Sequence, residues 1–488
     1  MAKPSTKKPS TKRTRKPAAA KETPPVARDE SLEAAIQRDP SAPMAYLVYG
    51  DWLQQKGDPR GELVALQAAL VDAPANEFVR LKMAEEELLA AHPVHFYGPL
   101  ARFPAARRTH LEWSMGFVEE ICEGANFEPE LFRSHPSARF VRTVAGGPLS
   151  APPPCLRRFT AQQSDLAWVW SAPGLEELRV GFGPNVDIAQ PRHERLTRLE
   201  VNDSSSRLLQ ALAHAELPSL RELRLLRVEP SGVPLLDSVL ARFPDVRFDL
   251  GLRGEAGGSF AALRTVAPRV KELCLDGVEG DPLDSLRAVR FENAVTLRIA
   301  AGPDSDERNL YFELLPELPA VREVILRHPP DLVRYFRSFA NSALARGIER
   351  LSVKITRPAA GRALVERSYE KVTELAMQWE PTLSPEYLES ARTLAADAFP
   401  RVLDLRFGPA KHLDALASSP MGPRLRSLTI ALENEYDAVF WLKHRDRFCN
   451  LVSVTIGGNR LLSRPTLERL FDHDVKIVWA RKSPRMDR

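Results

Sequence analysis

The chain has 488 residues, 44% of them hydrophobic and 27% charged, and a net charge of +4. That length exceeds one compact core and points to several domains or a repeat array. No apolar run approaches the roughly 20 residues that span a bilayer, and no apolar segment follows the basic N-terminus as it would in a signal peptide. Four widely spaced cysteines (Cys122, Cys155, Cys274 and Cys449), with no Cys-x-x-Cys pair or Cys/His cluster, argue against a disulfide framework or a structural zinc site. Free thiols in a reducing cytoplasm are the expectation.

Residues 1–28 hold nine Lys or Arg against the single acid Glu22, a net charge of +8, so the remaining 460 residues carry about −4. This tail is rich in Lys, Arg, Pro, Thr, Ser and Ala and lacks the apolar area to offset ordering entropy; it reads as disordered. Lys7, Lys8, Lys12, Arg13, Arg15 and Lys16 form its candidate polyanion-binding stretch, which would meet phosphates without reading sequence.

Residues 29–92 read as a small all-helical module. A first helix from Ser31 stops at Asp39-Pro40, because the residue before proline is pushed out of the α region. Ser41 and Pro43 are start signals for a second helix to about Lys56, with Gly57 as its left-handed stop. Asp58-Pro59 then caps a third helix to about Leu70, and a fourth spans Asn76–Ala91. Tyr46, Tyr49, Trp52, Leu53, Leu63 and Leu66 are the expected apolar seam. Asp51 or Glu62 is expected to pair with Arg60 across the Gly57 turn.

Beyond the module one pattern, apolar-x-x-apolar-x-apolar, recurs about every 25 residues: GLEELRV (174–180), RLTRLEV (195–201), SLRELRL (219–225), RVKELCL (269–275) and NAVTLRI (293–299). Six more copies follow: AVREVIL, GIERLSV, KVTELAM, RVLDLRF, RLRSLTI and NLVSVTI. A degraded copy lies at FPDVRFDL (243–250), and weaker ones at 155–161 and 475–480. The middle and last apolar residues are two apart and so face one side of a strand. Amphipathic stretches separate the strands, among them Ser206–Leu217, Val233–Phe243, Asp331–Ala345, Pro385–Ala398 and Tyr436–Phe448. A strand and a helix per repeat cannot close a core alone, but stacked copies can. The expected fold class is therefore α/β: a leucine-rich-repeat-like solenoid over 93–488, with a parallel β-sheet and helices on its convex side.

The run SLEAAIQRDPSAPMAYLVYGDWLQQKGDPRGELVALQ (31–67) resembles the bacterial repeat-companion domain. The positions that carry the resemblance are Asp39, Pro40, Tyr49, Asp51, Trp52, Leu53, Gly57, Asp58, Gly61, Glu62, Leu66 and Gln67. The resemblance implies that repeats of the leucine-rich kind follow the module, and that a Gly-Phe-Val-Glu strand opens them, here Gly116-Phe117-Val118-Glu119. It implies no biochemical activity. Most repeats lack the Asn or Cys that follows the strand in the common pattern; only Leu451-x-x-Val454-x-Ile456-x-x-Asn459-x-Leu461 is complete, so uneven stacking is expected.

No enzyme motif, metal or cofactor site emerges. His92 and His95 flank Pro93 without a third ligand, Gly181-Phe182-Gly183 lacks the third glycine of a phosphate cradle, and Gly254–Gly258 reads as a turn. The candidate partner-binding residues are the polar strand positions facing away from the core: Glu177, Arg179, Arg198, Glu200, Glu222, Arg224, Arg298, Arg350, Asp404 and Arg406. They would line a concave face able to dock a charged protein, favouring its first two-thirds, since Ser427, Thr429, Ser453 and Thr455 are neutral. The expected function is a non-enzymatic protein-interaction scaffold; the alternative is a nucleic-acid-associated protein using the tail.

Overall fold

The computed structural model describes residues 28–71, 73, 75–102, 111–122, 135–145, 151–161, 168–180, 191–254, 258–278, 281–300, 312, 315–327, 333–355, 358–379, 398–407, 413–432, 435–458 and 476–479. The basic tail, the stretch 385–397, Gly181–Gly183, most of the 254–258 turn and Asn459 lie outside the described residues.

Helix α1 (Glu30–Arg38) starts where the Asp29 carboxylate accepts the N–H groups of Ser31 and Leu32, at 3.0 and 3.1 Å. Helix α2 (Pro43–Gln55) has no side-chain cap; Ser41 instead donates its N–H and hydroxyl to Asp39, so proline alone sets the start. Gly57, at φ +72°, turns the chain, and Asp58 caps helix α3 (Pro59–Val71) by accepting the Arg60 N–H at 3.0 Å. Helix α4 (Ala75–Ala91) follows, then α5 (Pro93–Tyr97) and a 3₁₀ turn to Arg102, so helical structure runs ten residues past the expected module end before the first strand at Leu111.

Arg60 does not pair with Asp51 or Glu62, both of which are exposed. Its guanidinium is fully buried and binds Asp58, with Nε 3.0 Å from Oδ1, and lies 5.7 Å over the Phe117 ring. His95 Nε2 meets the same carboxylate oxygen at 2.9 Å. Asp58, being the cap itself, is already held at the start of the Arg60 helix, and no movement of Asp51 or Glu62 could compete with that local geometry.

The described strands form one seventeen-stranded sheet. They are β1 (Leu111–Ser114), β2 (Phe117–Ile121), β3 (Thr143–Ala145), β4 (Arg158–Ala161), β5 (Glu177–Val180), β6 (Arg198–Val201), β7 (Glu222–Val228), β8 (Arg247–Arg253) and β9 (Val270–Asp276). The second half comprises β10 (Thr296–Ala300), β11 (Glu323–Arg327), β12 (Arg350–Ile355), β13 (Glu374–Trp379), β14 (Asp404–Phe407), β15 (Ser427–Leu432), β16 (Ser453–Gly458) and β17 (Lys476–Trp479). β1 and β2 are an antiparallel hairpin. From β2 to β17 each strand pairs in parallel with the next in chain order. The result is an α/β chain with a mostly parallel sheet, consistent with a solenoid-like arrangement.

The middle and last apolar residues of each repeat enter one continuous core with the helices between strands. Leu178, Leu199, Leu223, Leu273 and Leu297 are buried with Leu208 and Leu212 of the helix Ser206–Ala213, and Leu236 and Val239 of Val233–Arg242. Each such leucine contributes roughly 1.5–3 kcal/mol of burial. Neighbouring repeats are also stitched just before the strand. Arg269 donates to the Leu240, Phe243 and Pro244 carbonyls, each at 2.7 Å; Asn293 donates to Pro268 and Asn450 to Pro423, also at 2.7 Å. Arg424 donates to Phe399 and Pro400. These residues directly precede the first apolar position of their repeat. They satisfy carbonyls of the preceding repeat, a job that the common pattern gives to the asparagine after the strand.

The helical module is fastened to the start of the sheet. Ile36, Tyr46, Tyr49, Leu53 and Val64 share a buried cluster with Phe117, Phe140 and Cys155. Tyr49 stacks on Phe117 at 5.7 Å and 4°, and Phe140 packs edge-on to Phe117 at 4.7 Å. The β1–β2 turn places Met115 and Gly116 at φ +50° and +79°, the conformation of a two-residue hairpin. A side chain at Gly116 would lie 2.5 Å from Val64 and 2.8 Å from the Arg60 carbonyl, so the hairpin can press onto α3 only with glycine there. Trp52 and Leu66, expected in the seam, are only partly buried.

Candidate interaction face

Alternation along a strand sends the residue before the middle apolar position, and the one after it, to the face opposite the core. In parallel register these become rows: Glu177, Arg198, Glu222 and Arg247 in one, and Arg179, Glu200, Arg224 and Asp249 in the next. Strands lie about 4.8 Å apart, so a long arginine reaches the strand on either side.

Over β5–β10 most of the outward charges are paired with one another. Arg179 meets Glu200 at 3.1 Å, Glu200 lies 3.9 Å from Arg224, and Arg224 donates to Glu272, which also accepts from Arg298 at 2.9 Å. In the adjoining rows Arg198 reaches Glu222 at 3.4 Å and Arg227 reaches Asp276 at 2.8 Å. Neighbouring side chains cover the centre: Glu200 is 6% exposed, and Glu272 and Arg298 are each 8% exposed. Two of the expected partner-binding residues, Glu200 and Arg298, are therefore buried members of an ion-pair network and not open surface. Glu200 is flanked in register by Arg179 and Arg224, and Arg298 by Cys274 and Ile325.

The register explains why the network is densest here. Asp249 faces Arg224 on one side and Glu272 on the other, although by repeat position it should face Cys274. β9 carries one extra residue just before Glu272, and from there β8 pairs with β9 a pleat out of step with its repeat position; β7 bulges separately, after Leu225. The slide brings two carboxylates together between Arg224 and Arg298. Burial, and the Glu272 charge beside it, push the Asp249 carboxyl up. Although burial disfavours its charge, Glu272, Glu200 and Asp249 hold the Arg224 guanidinium above its ordinary range. Asp249 was absent from the sequence expectation because its repeat is the degraded one, and Arg227 and Asp276 because they lie just past the last apolar position of theirs.

From β11 onward the face changes. Glu323 meets Arg350 at 3.5 Å and accepts the Thr296 hydroxyl at 3.1 Å. Ser352 and Ala376 then take the positions that arginine or glutamate hold earlier, and the face dips into a groove of about 370 Å³ across β11–β15. Glu374, Asp404 and Arg406 line it, are exposed, and make no ion pair among the described residues. Glu374 and Asp404 are register partners, and Arg406 stands between Ala376 and Thr429. The later part of the sheet thus holds exposed charges with no ion pair among the described residues, whereas most of the earlier charges are paired.

Other expectations resolve as follows. Glu177, Arg179, Glu222 and Arg224 lie on the outward face, Arg224 within the network and Arg179 at its exposed end. Lys7, Lys8, Lys12, Arg13, Arg15 and Lys16 are outside the described residues. His95 is engaged with Asp58, and no group of three metal-binding side chains occurs among the described residues. None of the four cysteines is in a disulfide among the described residues; burial pushes the Cys155 and Cys274 thiols up to about 11. No described helix is long and apolar enough to cross a membrane.

No family model and no curated protein matches the chain. Among solved structures, a protein of Bacteroides fragilis is similar at 11% identity and a TM-score of 0.32, over 50% of this chain and 76% of that one. A likeness this slight carries no functional inference.

Proposed function

We propose that this chain is a non-enzymatic protein-interaction scaffold: a repeat-companion module heading a leucine-rich-repeat-like solenoid that binds a partner protein on its concave sheet face. The observation that carries the reading is the exposed set Glu374, Asp404 and Arg406, which makes no ion pair among the described residues, on a face whose earlier charges are mostly paired. Charged residues left without partners on a shaped surface gain most from an incoming complementary surface, in specificity and in encounter rate. The aromatic cluster joining module and sheet supports a single rigid platform for that surface.

Affinity capture from an extract of the source cells, with the full chain as bait, tests this. Partners should be retained by wild type, and lost when outward charges are reversed in Glu374→Lys/Asp404→Lys/Arg406→Glu or, failing that, in Arg179→Glu. Retention in both variants would sink the scaffold reading. The alternative, nucleic-acid association through the tail, is favoured by the +8 charge of residues 1–28. It predicts a salt-sensitive DNA mobility shift that vanishes on deleting those residues.

A further inference from the structure

Resting on the scaffold reading, we infer that the groove takes an extended peptide segment carrying a basic and an acidic side chain two residues apart, the base over Glu374 and Asp404 and the acid on Arg406. The two carboxylates are register partners on neighbouring strands about 4.8 Å apart, and Arg350, on the other side of Glu374, is engaged with Glu323. One ammonium or guanidinium placed there would offset both. Arg406 follows Asp404 by two residues on the same face of β14, roughly 6.6 Å along the strand. It has no ion pair among the described residues, and its row neighbours, Ala376 and Thr429, carry no charge.

An extended segment presents its own side chains at i and i+2 on one face with that same spacing. A Lys-x-Glu or Glu-x-Lys segment lying along β14 therefore matches the pattern charge for charge. Ser352 and Ala376 on the floor supply the depth such side chains need, and about 370 Å³ is within the range of small-ligand clefts.

The test uses the full chain and dye-labelled heptapeptides centred on Lys-Ala-Glu, Glu-Ala-Lys, Lys-Ala-Lys and Glu-Ala-Glu, read by fluorescence anisotropy at low salt. One of the two mixed peptides should bind about tenfold more tightly than either like-charged peptide. Arg406→Ala should erase that advantage and improve Lys-Ala-Lys relative to it. Asp404→Asn with Glu374→Gln should weaken the mixed and Lys-Ala-Lys peptides, each by about tenfold. Equal binding of all four, no binding of any, or indifference to these substitutions overturns the inference. Should the peptides fail while captured partners still depend on the outward charges, this inference falls and the scaffold reading stands.

Discussion

Two stretches of one sheet face use the same residue types to opposite effect. Across β5–β10 arginines mostly alternate with acids, and the one adjacent acid pair, Asp249 and Glu272, lies between Arg224 and Arg298, so that most of these charges find a counter-charge close by. Across β12–β14, Arg350, Glu374, Asp404 and Arg406 are no less charged, but serine and alanine interrupt the rows and two acids fall side by side. The network costs desolvation that good geometry offsets, and it leaves little for a partner. In the groove Arg350 is engaged with Glu323, while Glu374, Asp404 and Arg406 stay exposed with no ion pair among the described residues. Counting charged residues on a strand face therefore says little about binding; their order across strands decides it.

The sharpest way to break this contrast is Glu272→Ala. Removing the acid shared by Arg224 and Arg298 leaves two mostly buried guanidiniums without it, at a cost of about 3 kcal/mol in urea denaturation followed by far-UV circular dichroism. A loss below 0.5 kcal/mol would mean that the network is ornamental.

Gly251→Ala tests the bulge in β7. The new methyl would lie 2.8 Å from Leu226 Cδ2 and 2.9 Å from its Cα, where β7 bulges with Arg227 at φ +54°. About 1–3 kcal/mol of destabilisation is expected in the same assay.

Asp249→Asn probes the crowded carboxylates through pH. The folded chain holds the Asp249 proton more tightly than the unfolded chain, because burial and Glu272 raise its pKa. Its favourable contribution is whole below the unfolded carboxylate value of about 3.9 and is lost as pH rises through the higher folded value. The asparagine variant should therefore be more stable than wild type at pH 7, by under about 1 kcal/mol, with the gain shrinking as pH falls toward 4. A loss at pH 7 would show that the carboxylate is needed charged.

Smallest are the exposed charges. Arg179→Ala removes a pair whose arginine is 48% exposed and should cost about 0.2–1 kcal/mol. Arg406→Ala, which breaks no ion pair among the described residues, should stay within about 0.5 kcal/mol while altering peptide binding.

Much of the architecture was legible in the chain. The spacing of Leu178, Leu199 and Leu223 marks three strands because a two-residue apolar period has one physical reading when its copies recur. Gly57 and Asp58-Pro59 locate a helix stop and start because their conformational demands are local. The staples were hidden: Arg269 and Asn293 look like ordinary turn residues until the preceding repeat's carbonyls are brought beside them. Arg60 was misread for a related reason, since its apolar neighbour Phe117 arrives from a strand 57 residues later. The repeat at 243–250 looked merely degraded, and nothing in it announces a register slide.

The sequence by itself determined which residues face the core and that the body repeats, because periodicity follows from backbone geometry. Tertiary structure alone decided which outward charges are spent on each other and which are free. That depends on the side-by-side register of strands some 25 residues apart, set by bulges and packing that no single repeat encodes.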